Sequence, residues 1–119
     1  MNYPWLNDYC SQKKGCEHDF KLEWGVDRYM LRGKMFAMVG GDKTGKPIIT
    51  LKGNPMENLA LRETYPDIIP GYYMNKAHWN SVYLEGSVPD ELLKKLIDES
   101  HQLILLSLSK KVQKEFEAL

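Results

Sequence analysis

Lys76, His78, Trp79 and Asn80 lie within five consecutive positions, inside the run GYYMNKAHWNSV that spans residues 71–82. Lysine brings a fixed cation and histidine a ring that titrates near neutrality. Tryptophan adds a broad apolar surface with one N–H, and asparagine both a donor and an acceptor. These chemistries suit recognition better than bond breaking. Tyr72, Lys76, His78 and Trp79 therefore form a candidate surface for a small ligand or a protein partner. The alternative is that Trp79 closes a core and the lysines only lay their methylenes over it.

A second candidate is electrostatic. Between residues 28 and 52 the basic side chains are Arg28, Arg32, Lys34, Lys43, Lys46 and Lys52, and the only acid is Asp42. On protruding hairpins these cations could contact the phosphates of double-stranded DNA, joined by Lys76, with Asn75, Asn80 or Arg32 reaching base edges. The competing explanation is a solvated strand face, where lysine discourages edge pairing. Over the whole chain sixteen basic residues balance sixteen acidic ones, which argues against a protein that coats nucleic acid without selectivity.

Catalytic, cofactor and metal constellations are not visible. Asp98, Ser100 and His101 are near neighbours on one expected helix, where they point in different directions and cannot form a nucleophile, base and orienter. His18, His78 and His101 are scattered, and Cys16 with His18 has no zinc spacing. The run GGDKTGK at residues 40–46 lacks the spacing and the following helix of a phosphate-binding loop, and it is expected to be a turn. A non-enzymatic protein without cofactor or metal is expected.

The elements that position these residues follow from pattern. Residues 3–14 carry Trp5, Leu6, Tyr9 and Cys10 at helical spacing, ending at Gly15. A strand is expected over 17–24, then a hairpin of 28–31 and 34–39 about Arg32 and Gly33, then a strand over 47–52. Asn54 and Pro55 start a helix that stops before Pro66, with Glu57 placed for a capping box. Residues 67–71 read as a proline-punctuated loop leading to a strand over 78–84. SVPD at 87–90 reads as a helix start, and Leu92, Leu93, Leu96, Ile97, Leu103 and Ile104 as the core stripe of that helix, with Ser100 in its middle. Ser107 or Ser109 would cap a last short helix carrying Val112 and Phe116. The expected fold is α+β, an antiparallel meander with N-terminal, middle and C-terminal helices packed against it.

With 119 residues, 43% hydrophobic and 27% charged, the chain is expected to be a single domain over 1–119 and a monomer. No run approaches a membrane span, and the N-terminus lacks the pattern of a secretory signal, so the cytoplasm is the expected location. Cys10 falls on the helical stripe and Cys16 does not, so a buried thiol and an incidental one are expected rather than a disulfide.

Taken together, GKMFAM at 33–38, YPDIIPGYYMNKAHWNSV at 65–82 and LIDESHQLI at 96–104 resemble the MmcQ/YjbR family across nearly the whole chain. The resemblance implies a small α+β domain of the "double-wing" type, described as DNA-binding-like by analogy of fold, and it points to the Lys34 and Lys76 positions. His101 stands where that family usually has tyrosine, and Ser109 where proline is common.

Overall fold

A computed structural model describes residues 2–72 and 74–119; Met1, and Tyr73 within the aromatic run, lie outside the described residues. The elements are α1 (Leu6–Ser11), β1 (Glu17–Lys21), β2 (Val26–Leu31), β3 (Lys34–Gly41), β4 (Pro47–Lys52), α2 (Pro55–Thr64), β5 (Ile68–Pro70), β6 (Trp79–Tyr83), α3 (Asp90–Leu106) and α4 (Lys110–Glu117). The strands form one antiparallel sheet in the order β1-β2-β3-β4-β6-β5, and α3 packs across β3 and β4. The fold is α+β, as expected, with β5 added to the five strands read from the sequence. Among the described residues no helix is long and apolar enough to cross a membrane.

Several boundaries move for identifiable reasons. The first helix shortens to six residues. β1 stops at Lys21 because the amides of Trp24 and Gly25 turn back to the Lys21 carbonyl at 3.1 and 2.9 Å, and Gly25 takes φ +65°. Phe20, Leu22 and Trp24, expected to alternate along a strand, are left 56, 79 and 58% exposed. The β2–β3 turn places both Arg32 and Gly33 at positive φ, 50° and 82°, as the tightest hairpin turns require. Part of the expected loop at 67–71 is the short edge strand β5, because Ile68–Pro70 pairs with β6. Asn54 caps α2 by accepting from the amides of Met56 and Glu57, and Ser109 caps α4 by accepting from Val112. The SVPD cap does not form. The Ser87 amide instead donates to Asp67 Oδ2 at 3.0 Å, and Pro89 precedes the first turn of α3.

The core lies between the sheet and α1, α3 and α4. Tyr29, Leu31, Phe36, Ala37, Ile49, Leu51, Val82 and Leu84 face Leu6, Cys10, Leu93, Ile97, Ile104 and Phe116. The buried face of α3 is Leu93, Ile97, Ser100, His101 and Ile104, so the expected stripe is corrected: Leu92, Leu96 and Leu103 are only half-buried on its flank.

A register shift at Tyr29/Met30 pairs Tyr29 with Ala37 but Met30 with Met35, which makes Phe36 an extra residue in β3. Phe36 and Ala37 are both fully buried in the core, whereas Met35 and Met38 line the opposite face. The β3–β4 pairing reaches only Ala37 and Leu51. Beyond it, Ser100 Oγ donates to the Phe36 carbonyl at 2.5 Å and accepts the Lys52 amide at 2.9 Å. One hydroxyl thereby satisfies two backbone groups at the end of the ladder.

Candidate functional site

The run 71–82 is held by its own polar groups. Asn75 Oδ1 accepts from the amides of Ala77 and His78 at 3.0 and 3.1 Å, an Asx-type turn, and its carbonyl accepts from the Trp79 amide at 3.0 Å. Lys76 Nζ donates to the Gly71 carbonyl at 2.9 Å. Arg62 reaches from α2 and donates to the Lys76 carbonyl at 2.7 Å and to Asn80 Oδ1 at 3.1 Å. Asn80 Nδ2 donates to the Asn58 carbonyl, and Asn58 Nδ2 to the Ala77 carbonyl, both at 3.2 Å. Asn80 is 4% exposed, so its placement at a base edge is corrected: both functions of its amide are engaged inside the fold. His78 is exposed and Trp79 is half-buried against the core. Arg62 and Asn58, which complete this network, carry no motif that singles them out in the sequence.

The basic residues do not form one patch. Successive turns of a meander fall at opposite ends of the sheet. Arg32 and Lys34 therefore lie at one end and Lys43 and Lys46 at the other, while Lys52 returns to the first. Two of the cations have carboxylate partners on neighbouring elements. Arg28 binds Asp19 through two bonds of 2.8 and 2.5 Å, and this pairing holds the Asp19 carboxyl below its usual range. Arg32 binds Glu115 of α4 at 2.6 Å, with its guanidinium 5.7 Å from the Phe116 ring. Among the described residues, Lys34, Lys43, Lys46 and Lys52 have no carboxylate at ion-pair distance.

The turn at 40–46 is organised by Asp42. Its Oδ1 accepts from the Thr44 amide and hydroxyl and the Lys46 amide at 2.8, 2.7 and 3.0 Å, and Gly45 takes φ +85°. The hydrogen bond from Thr44 leads the effects that lower the Asp42 pKa. The Asp42 carboxylate takes up the amides that a phosphate cradle would offer to its anion.

A cleft lies on the sheet face away from α3. Val26, Met35, Met38, Ile48 and Thr50 line it from the sheet, Trp24 from the β1–β2 turn, and Tyr72 and Met74 from the β5–β6 loop. The cleft holds about 530 Å³. Gly40 helps to make it, since a Cβ there would fall 2.6 Å from Val26 Cγ1. The Tyr72 wall is tied down where its amide donates to Ser81 Oγ at 3.0 Å, itself 2.7 Å from Thr50 Oγ1. Tyr72 joins this cleft, whereas Lys76, His78 and Trp79 do not line it. Sequence reasoning missed the cleft because its residues come from alternate positions of four segments, and the bulge at Phe36 is what turns Met35 and Met38 toward it.

The remaining chemistry-bearing groups are dispersed. His18 sits 2.9 Å from Asp27 and stacks on Tyr29 at 4.5 Å. Ser100 is buried, His101 Nε2 bonds the Lys14 carbonyl at 2.9 Å, and Asp98 accepts from the Tyr9 hydroxyl at 2.7 Å and pairs with Lys13. Among the described residues no group of three His, Cys, Asp or Glu could hold a metal ion.

The family model for YjbR matches residues 11–103. The chain is 35% identical over 102 residues to the uncharacterised protein YjbR of Escherichia coli K12, covering 86% of each. It is 41% identical over 88 residues to YbdF of Escherichia coli O157:H7, covering 74% of this chain and 71% of that one. Among solved structures, Deinococcus radiodurans DR2400, a DUF419 domain, superposes with a TM-score of 0.83 at 29% identity, over 94% of this chain and 85% of that one.

Proposed function

The chain belongs to the YjbR family, and from that premise we propose that it is a non-catalytic binding protein whose open sheet face receives a small, largely apolar molecule. The observation that carries this reading is the cleft. Its volume of about 530 Å³ lies within the roughly 300–1,000 Å³ of ligand pockets. Thioethers and aromatic rings line it beside two hydroxyl-bearing residues, Thr50 and Tyr72, with Glu23 also in the lining. Methionine walls adapt to ligand shape, and a flat molecule between Trp24 and Tyr72 would meet a ring on each side.

Titration with 1-anilinonaphthalene-8-sulfonate tests it. Saturable binding that is lost in Met38→Glu and Met74→Glu, while both variants unfold as cooperatively as the wild type, is the expected result. Absence of saturable binding, or binding unchanged in both variants, overturns the reading.

A second reading, double-stranded DNA held by basic turns, is favoured by the four lysines without acidic partners. It rests on Lys34 and Lys52 at one end and Lys43 and Lys46 at the other, because Arg28 and Arg32 are already paired. A mobility shift at about 50 mM salt that weakens steeply as salt rises is its signature. Reversal of either lysine pair to glutamate shows which end is used, and no shift at low salt ends this reading.

A further inference from the structure

The two edges of the sheet are unlike. β5 is three residues long, contains Pro70, follows Pro66 and lies against α2. Proline cannot donate to another strand, and a short covered edge resists pairing. β1 has five residues without proline and its outer side is unpaired, while the turn beyond it exposes Leu22 and Trp24 beside Phe20. An uncovered strand with large exposed apolar side chains is a template for addition of another strand.

The sequence of this edge, EHDFK, is complementary in charge to itself read backwards. Side chains alternate across a strand, so Glu17, Asp19 and Lys21 share one face and His18 and Phe20 the other. We propose that β1 pairs antiparallel with β1 of a second copy about a two-fold axis at Asp19, giving a dimer with a continuous twelve-stranded sheet. In this register Glu17 lies opposite the second copy's Lys21 and Lys21 opposite its Glu17, which brings a second carboxylate to the exposed pair that each Lys21 makes with its own Glu23 at 3.2 Å. His18 lies opposite Phe20 on the other face, a pair of rings at cross-strand distance. The two Asp19 carboxylates meet at the axis, and each is already neutralised by its own Arg28. The interface is isologous and closes on itself, so it ends at two copies. A dimer replaces the monomer expected from the sequence, and it stands independently of what the cleft binds.

Sedimentation velocity over a concentration series reaching about 1 mM tests the proposal. The wild type is expected to show a reversible monomer–dimer equilibrium. Lys21→Glu and Glu17→Lys, made singly, each turn two attractions into repulsions and raise the dissociation constant about tenfold or more. The double variant restores the pairs and returns it toward the wild-type value. Matching circular dichroism spectra establish that each variant is folded. A wild type that stays monomeric throughout overturns the proposal, as does a dimer indifferent to both single reversals or a double variant no tighter than the singles.

Discussion

The ammonium of Lys76 donates to the carbonyl of Gly71 at 2.9 Å, closing the loop between β5 and β6 from inside. The same glycine donates its amide to the Trp79 carbonyl at 2.8 Å, and a Cβ on it would lie 2.6 Å from Trp79 Cβ and 2.8 Å from that carbonyl oxygen. Gly71 is there because the backbone of Trp79 is too close for any side chain. Lys76 is therefore a strut of the cleft wall before it is a cation for any partner.

Gly71→Ala should cost about 1–3 kcal/mol, since the atoms it meets include backbone that cannot swing aside. Lys76→Met, which keeps the stem and removes the donor, should cost less but loosen the same loop. Denaturant titration measures the first, and faster amide exchange across 71–80 reads the second. A Gly71→Ala protein as stable as the wild type would show that the close approach to Trp79 is not obligatory.

Ser100→Ala should destabilise by about 1–3 kcal/mol, because it leaves the Lys52 amide and the Phe36 carbonyl without the hydroxyl that serves both. Ser100→Cys, close in shape but a weaker partner, should fall between. Exchange protection of the Lys52 amide is the specific readout, and protection unchanged in Ser100→Ala would mean that another group satisfies it.

Burial leads the effects on the His101 pKa and lowers it, opposed by the bond to the Lys14 carbonyl, with nearby Lys13 lowering it further and Asp98 raising it. A carbonyl only accepts, so the neutral ring carries its proton on Nε2. The unfolded chain takes up the second proton first. The contribution of His101 is thus complete above the ordinary histidine value of 6.5 and is lost as pH falls through the depressed folded value. Stability measured at about pH 7.5 and pH 5.5 should fall less between them in His101→Phe than in the wild type. An equal fall in both assigns the acid sensitivity elsewhere.

Cys10 is buried beside Leu6, and burial leads in pushing its thiol up to about 12, so little thiolate exists at neutral pH. Cys16 is half-buried, and its pKa is raised less. Both are free thiols. Native protein treated with a thiol reagent should label first at Cys16, with Cys10 reacting only on unfolding. Equal rates would place Cys10 nearer the surface than its packing implies.

What the sequence determined by itself is the local order of this fold. Asn54 and Pro55 start α2, Ser109 caps α4, Gly33 turns the β2–β3 hairpin and the β-branched run at 47–52 is β4, because each depends on neighbours within a few positions. The motifs at 33–38, 65–82 and 96–104 also carried the family. Tertiary structure decided which faces are inside and what the polar residues are for. Ser100 appears in the sequence as an interruption of an apolar stripe, yet it completes the ladder for Phe36 and Lys52, 64 and 48 positions away. Asn80 appears as a recognition residue, yet Asn58 and Arg62 consume it. The run of basic residues at 28–52 is divided between two ends of the sheet because every hairpin reverses the chain. The cleft depends on a one-residue bulge at Phe36 that turns two methionines outward, and a bulge arises from how two strands pair, which neither strand encodes alone.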